Sequence, residues 1–270
     1  MEKLGEDSMN KKIFVVADVH GCYDEMIKAL NEAGFDENND THLLITLGDM
    51  FDRGTKSVAI FEYLYPLWEK GKAICIRGNH DDFFIRYLDG STISPFNYLR
   101  NGTDETFADF LGRTSPFESW CVIDEDIKEP CVSDFARWLK SAVGEINENY
   151  PELLSWLKQM PYYYETRNYI FTHASIDTDA EDWHMPKTPW EDLAFDDGSF
   201  FGKEILNTDK NVIIGHFGTH HLRKMYDIKD GKDTFSSLIS KNGRILAIDG
   251  TTNYSGKVNV AIIEDDLLWV

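Results

Sequence analysis

Residues 13–21 read IFVVADVHG, residues 42–54 read HLLITLGDMFDRG and residues 73–81 read AICIRGNHD. In each, an apolar run rich in β-branched residues stops at a polar loop that carries glycine. Helix-compatible sequence follows every loop: residues 22–33 with Met26, Ile27 and Leu30, then VAIFEYLYPLW over 58–68, then DFFIRYL over 82–88. Strands alternating with helices at this pitch predict parallel βαβ units and an α/β fold. Open α/β sheets place their sites beyond the carboxyl ends of the strands, so the three loops are expected to converge on one crevice.

Working outward, the character changes between about 94 and 161 to aromatic, charged and helix-like sequence, as in FARWLKSAVGEI and ELLSWLKQM, with no strong strand run. This stretch is expected to be a helical insertion. Strand patterns return at 169–172, 212–215, 244–248 and 258–263, and the last two are expected to pair antiparallel around NYSG. The second half therefore supplies a second sheet. No internal repeat, low-complexity tract or linker divides the chain, which predicts one catalytic domain over residues 1–270 with the insertion at about 94–161.

The chain has 270 residues, 42% of them hydrophobic and 27% charged, enough to bury a sizeable core. Its 47 Asp and Glu outnumber 27 Lys and Arg, for a net charge of -20. A surface that acidic repels polyanions, which excludes a nucleic-acid polymer as partner. No apolar stretch approaches the roughly 18 residues of a membrane span, and the polar start MEKLGEDSMNKK has no apolar targeting core. The expectation is a cytoplasmic protein with no membrane partner, of unspecified oligomeric state. Cys22, Cys75, Cys121 and Cys131 are scattered and are expected to be free thiols, although Cys121 and Cys131 are close enough in sequence to pair under oxidation.

The loops carry Asp18, His20, Asp49, Asp52, Arg53, Arg77, Asn79, His80 and Asp81. Carboxylate, imidazole and amide oxygen suit Mn²⁺, Fe²⁺ or Zn²⁺, and the lack of thiolates argues against a structural zinc site. An acidic residue at one strand end is an ordinary turn. Three such loops together, with glycines that allow close backbone approach, point to a site.

These motifs resemble the GDxHG, GDxxDRG and GNHE signatures of the phosphoprotein phosphatase (PPP) family of metallophosphoesterases, with Ala17 for the first glycine and Asp81 for the final Glu. Further segments are similar to those of bacterial members: YLRNGTDET (98–106), LKQMPYYYE (157–165), IFTHAS (170–175), IIGHFGT (213–219) and IDGTTNYSGKV (248–258). The resemblance implies a two-sheet β-sandwich flanked by helices, α/β/β/α, and a two-metal phosphoesterase. Asp18 and His20 would hold one divalent ion, Asn79, His173 and His216 a second, and Asp49 would bridge them, with Mn²⁺ favoured over Fe or Zn. His80 would be the general acid oriented by Asp52, and Arg53 would bind the phosphate together with Asn79. Arg77 could contact substrate, but a structural ion pair near the site is the favoured reading.

Serine/threonine phosphatase-like hydrolysis of a phosphorylated protein or small phosphoester is the leading implication. Symmetrical hydrolysis of dinucleoside polyphosphates is second, with Tyr162, Tyr163, Tyr164 and Trp120 as candidate stacking residues, and a binding module without turnover is third. One departure stands out: bacterial relatives carry DLLWIRxxF, and residues 192–200 here place Asp197 where the second phosphate-binding Arg is expected. Either the register of this segment differs, another base such as Lys187, Arg100 or Arg223 substitutes, or the substrate differs. His42, His184, His220 and His221 fall outside the motifs and are expected at the surface or in packing, with His220 and His221 near enough to His216 to line the cleft. Cys22 is expected to pack near the start of a helix.

Overall fold

The computed structural model describes residues 11–91, 94–116, 122–123, 126–127, 129–264 and 267–269. Strand β1 (Lys12–Val16) leads into helix α1 (Tyr23–Ala33), β2 (His42–Thr46) into α2 (Ser57–Glu69), and β3 (Ala73–Cys75) into α3 (Asn79–Leu88). The next stretch holds α4 (Pro95–Arg100), α5 (Thr103–Leu111), the short pair β4 (Val122–Ile123) and β5 (Asp126–Ile127), α6 (Glu129–Asn149) and α7 (Leu153–Gln159). Then come β6 (Tyr163–Glu165), β7 (Tyr169–Thr172), α8 (Trp190–Leu193), a 3-10 turn (Ser199–Gly202), β8 (Asn211–Ile214) and α9 (Thr219–Met225). The chain closes with β9 (Leu238–Ile239), β10 (Ile245–Ala247), α10 (Thr252–Ser255), β11 (Ala261–Glu264) and β12 (Leu267–Trp269).

Two five-stranded sheets result, ordered β12-β11-β1-β2-β3 and β6-β7-β8-β10-β9. Strands β1, β2 and β3 run parallel, as do β7, β8 and β10. Because side chains alternate along a strand, Ile13, Val15, Leu43 and Ile45 face Phe171, Ile213 and Leu246 of the other sheet. Phe14, Val16 and Leu44 point the opposite way into the helices, while Ile170, Val212, Ile214 and Ile245 cover the outer side of the second sheet. Both faces of each central strand are thus apolar, which explains their uninterrupted hydrophobic runs. The layers are α/β/β/α, as the sequence motifs imply.

The helices of the expected insertion share one core with the first sheet. Tyr98, Phe107, Phe135 and Trp156 join the cluster that holds Phe14, Phe51 and Phe84. Phe51, in the middle of the second loop, packs against Phe84, Phe110 and Trp156 with ring centroids 5.4, 6.1 and 6.4 Å away, so this aromatic core fixes the loop that carries Asp49 and Asp52. Among the described residues no helix is long and apolar enough to cross a membrane.

One expected pairing is corrected. Strands β10 and β11 do not pair with each other. Both edges of β10 are occupied, by β8 in parallel and by β9 antiparallel. Residues 248–260, including α10, carry the chain across to the other sheet, where β11 takes the open edge of β1 with Phe14 opposite Ile262. Trp120, Cys121 and the side chain of Cys131 lie outside the described residues.

Candidate metal centre

The three strand-end loops are stitched together by their backbones. The amides of Asp18, His20 and Gly21 donate to the carbonyls of Gly48, Asp49 and Met50 at 3.2, 2.9 and 2.8 Å. The third loop is tied on by Asp81, whose buried carboxylate accepts from the amides of Gly78 (2.8 Å), Asp49 (3.0 Å) and Met50 (3.3 Å). Gly48 has φ +90°, and a Cβ there would lie 2.5 Å from the Gly78 nitrogen; only glycine permits this approach. Two loops of the second sheet complete the site: His173 follows β7 and His216 follows β8, with the His216 amide donating to both Asp18 oxygens at 3.0 and 2.9 Å.

Backbone strain concentrates here. Of the eight described non-glycine residues with positive φ, six are Asp18, His20, Asp49, Asp52, Arg53 and His216. Such conformations cost of order 1–3 kcal/mol each and persist where the surroundings over-determine them. Four of the side chains they aim are buried, Asp18, His20, Asp49 and Asp52 all being 2% exposed or less.

The Asp49 carboxylate faces two ways. Its Oδ2 lies 3.6 Å from His20 Nε2, and its Oδ1 lies 3.4 Å from His173 Nε2. The His20 Nδ1 is bonded to the Phe51 carbonyl at 2.9 Å and the His173 Nδ1 to the Leu47 carbonyl at 2.6 Å. A carbonyl can only accept, so in each ring Nδ1 bears the proton and Nε2 presents a lone pair. The His173 Nε2 also faces Asn79 Oδ1 at 2.9 Å and His216 Nδ1 at 3.1 Å. Two groups of donor atoms lying within 4.8 Å of one another share this carboxylate: His20, Asp49 and His80, and Asp49, His173 and His216.

Converging lone pairs suit a cation, and the electrostatics agree. Burial holds His20 and His173 below their ordinary imidazole range, and burial with the neighbouring His173 pushes His216 down to about 3, so all three rings are neutral donors. Burial opposes ionisation of Asp49, but the four imidazoles around it, His173 foremost, outweigh that and hold it below the usual carboxylate range. Burial, Asp249 and Asp49 push Asp18 well up; a carboxyl that crowded is relieved by positive charge. Cys22 donates to the His20 carbonyl at 3.4 Å and burial pushes its thiol up to about 11, which leaves it protonated and unsuited as a ligand. The donor set fits divalent cations of the oxygen- and nitrogen-seeking kind.

Beside this cluster stand the remaining motif residues. The His80 Nδ1 donates to Asp52 Oδ2 at 2.7 Å. Burial works against the charged imidazole, yet Asp49 and Asp52 override it and hold His80 above its ordinary value. The Arg53 guanidinium donates to His20 Nε2 at 2.9 Å and to His80 Nε2 at 2.8 Å. Of the residues matched to metal ligands, Asp18 belongs to neither close-set group and is turned to the His216 amide, whereas His80 belongs to one.

Arg77 is committed elsewhere, to Asp82 (3.4 Å), the Leu157 and Lys158 carbonyls (3.1 and 2.7 Å) and the Tyr162 ring (5.0 Å). Arg223 is bound by Asp230 at 2.9 Å and by loop carbonyls, Lys187 donates to the Asp179 carbonyl, and Arg100 stacks over Phe96. Asp197 is exposed and accepts from the Ser199 amide at 3.1 Å within its own turn. His42 packs against Phe14 and Phe35, His184 stacks on Trp183, and the His220 and His221 rings meet at 3.8 Å with a 40° tilt. Tyr163 packs on Trp183 and Trp190, and Tyr164 on Phe171.

Sequence reasoning overlooked Thr103 and Thr106, whose hydroxyls donate to the two Asp52 oxygens at 3.0 and 2.9 Å. It also overlooked Asp81 as a tie between loops, and Asp249, pushed up to about 6 by burial. Thr103 and Thr106 lie in the YLRNGTDET segment, so the signal was present as a motif without an assigned role.

The sequence profile of the calcineurin-like phosphoesterases matches residues 11–245. Bis(5'-nucleosyl)-tetraphosphatase PrpE [asymmetrical] of Bacillus velezensis is 34% identical over 108 residues, 38% of this chain and 41% of that protein. Serine/threonine-protein phosphatase 1 of Salmonella typhimurium is 34% identical over 96 residues, 35% of this chain and 40% of that protein. The chain thus aligns with about two fifths of the length of these curated relatives. Among solved structures, a protein serine/threonine phosphatase of Saccharomyces cerevisiae shares the fold, with a TM-score of 0.55 at 13% identity over 96% of this chain and 74% of that one.

Proposed function

The chain belongs to the calcineurin-like phosphoesterase family, and from that premise we propose that it is a metal-dependent phosphatase hydrolysing phosphomonoesters at the centre built on Asp49. The observation that carries the reading is the division of the Asp49 carboxylate, one oxygen toward His20 and the other toward His173. Asp18, His20 and Asp49 would hold one divalent cation, and Asp49, Asn79, His173 and His216 the other; Mn²⁺ is the ion proposed, with Fe and Zn chemically suited as well. When bound, the pair supplies a water of lowered pKa and positive charge beside the phosphoryl oxygens.

Hydrolysis joins the water oxygen to phosphorus as the ester bond breaks, and the leaving oxygen must take a proton to depart as an alcohol. His80 is the proposed donor: Asp52 fixes its Nδ1 proton at 2.7 Å, which directs Nε2 to the reacting oxygen. Arg53 would give its two terminal nitrogens to phosphoryl oxygens, a fixed fork that compensates negative charge. Those nitrogens contact His20 and His80 in the structure, so a phosphate that draws them away frees His80 Nε2 to take up the proton that the imidazolium then gives to the leaving oxygen, which returns the ring to neutral. Arg77 takes a structural part in this reading. The core shared by the insertion helices and the first sheet supports a single catalytic domain.

A phosphorylated protein is the substrate proposed, as the likeness to a serine/threonine phosphatase suggests. The likeness to a dinucleoside tetraphosphatase supports a second reading, hydrolysis of dinucleoside polyphosphates. Mn²⁺-loaded enzyme should be assayed on p-nitrophenyl phosphate, a phosphoserine peptide and diadenosine tetraphosphate, and a chelator should abolish every activity found. His80→Asn should lower kcat on the phosphoserine peptide by about 10²–10⁴-fold and on p-nitrophenyl phosphate by much less, because a nitrophenolate leaves without protonation. Equal losses on both would make His80 a positioning residue.

A further inference from the structure

Two phenyl rings stand beside the metal centre and belong to none of the three hydrophobic clusters of the described residues. Phe83 lies one turn after His80 on α3, its ring 5.7 Å from that imidazole at 74°. Phe195 follows α8 and meets the His216 ring at 6.1 Å and 69°. The two phenyls touch each other at 5.4 Å and 64°, so an unbroken chain of rings runs from His80 through Phe83 and Phe195 to His216.

Core packing does not account for this pair. On α3 the neighbouring Phe84 is fully buried and meets the apolar demand of the helix, while Phe195 is 50% exposed. Position gives the pair its meaning. If His80 protonates the leaving oxygen, whatever is bonded to that oxygen lies against His80, and the next ring along is Phe83. Edge-to-face contact between the phenyls, with half of Phe195 open, leaves a surface for a third ring. The segment that resembles DLLWIRxxF thus brings an aromatic ring to the centre, and its Asp197 stays in its own turn.

Resting on the phosphoesterase reading above, we propose that Phe83 and Phe195 seat the leaving group and that preferred substrates carry a flat aromatic ring close to the reacting phosphate. A phenol bonded to the reacting oxygen, as in a phosphotyrosine side chain, meets this geometry. Stacking of this kind is worth about tenfold in affinity.

Calorimetric titration of the Mn²⁺-loaded protein with phenylphosphonate and with methylphosphonate tests the seat without turnover. The intact protein should favour phenylphosphonate about tenfold, Phe195→Leu and Phe83→Leu should each reduce that ratio toward one, and Phe195→Trp should preserve it. A ratio near one in the intact protein, or a ratio unmoved by either leucine variant, overturns the proposal. Parallel KM measurements on a phosphotyrosine peptide and on a phosphoserine peptide then check the seat under turnover: the leucine variants should raise KM for the phosphotyrosine peptide and leave that for the phosphoserine peptide unchanged, and equal changes on both would overturn the proposal. A preserved phenyl preference with no hydrolysis of any phosphoester would refute the phosphatase reading and leave the aromatic seat standing.

Discussion

Thr106 accepts from the Asp52 amide at 2.8 Å and donates back to the Asp52 carboxylate at 2.9 Å, all of it buried. One hydroxyl thereby fixes both the strained backbone at Asp52 and the orientation of the carboxylate that holds His80. Thr106→Val keeps the shape and removes both bonds, leaving a buried amide and a carboxylate oxygen short of partners. The expected cost is about 1–3 kcal/mol in urea unfolding, with a fall in kcat on alkyl phosphates larger than on p-nitrophenyl phosphate. At this scale the sequence was most readable where a residue sits just beyond a strand: Asp18, His20, Asp49, Asn79, His80, His173 and His216 could all be named from residue type and motif. What escaped were partners distant in sequence, since neither the pairing of Thr106 with Asp52 nor that of Asp81 with Asp49 leaves a local trace. Phe195 escaped for another reason: a half-exposed aromatic just past a short helix belongs to no apolar periodicity.

Between elements, the decisive contact is the approach of the β2 loop to the β3 loop. Gly48→Ala would force a Cβ to 2.5 Å from the Gly78 nitrogen and 2.6 Å from its Cα, both backbone atoms that cannot swing aside. The loops must part, so metal affinity should fall together with a melting temperature lowered by several degrees, whereas Gly71→Ala, with open space around it, should leave metal affinity intact. The loop after β7 is pinned to β6 differently, by His184 between Asp182 (2.7 Å) and Glu165 (3.1 Å). Burial opposes the charged ring, but its hydrogen bonds to Asp182 and Glu165 prevail and raise its value above normal. The stabilisation is therefore full below the ordinary histidine value and disappears as pH rises through the raised one. With the side chain 39% exposed, solvent screening limits it to about 0.5 kcal/mol. His184→Gln should destabilise more at pH 5.5 than at pH 8.5 in urea titrations. The parallel β1, β2 and β3 units were legible because each strand, loop and helix has its own periodicity. The β10–β11 pairing was misread because proximity in sequence suggested a hairpin, while the sheets competed for each strand's free edge.

Across the whole molecule, two sheets present their strand ends to one place and a shared aromatic core locks the insertion helices to the loop carrying Asp49. The first sheet gives Asp18, His20, Asp49, Asn79 and His80, the second gives His173 and His216, and Asp49 is where they meet. The central claim is that this one carboxylate joins two metal sites. Equilibrium dialysis against Mn²⁺, with bound metal counted by elemental analysis and coupling between ions read by electron paramagnetic resonance, addresses it directly in the intact chain and in Asp49→Asn. The account predicts two ions per chain with a spin-coupled signal, and in Asp49→Asn loss of the coupled signal with at most one ion retained. A single ion in the intact chain, or two coupled ions that survive Asp49→Asn, would contradict it.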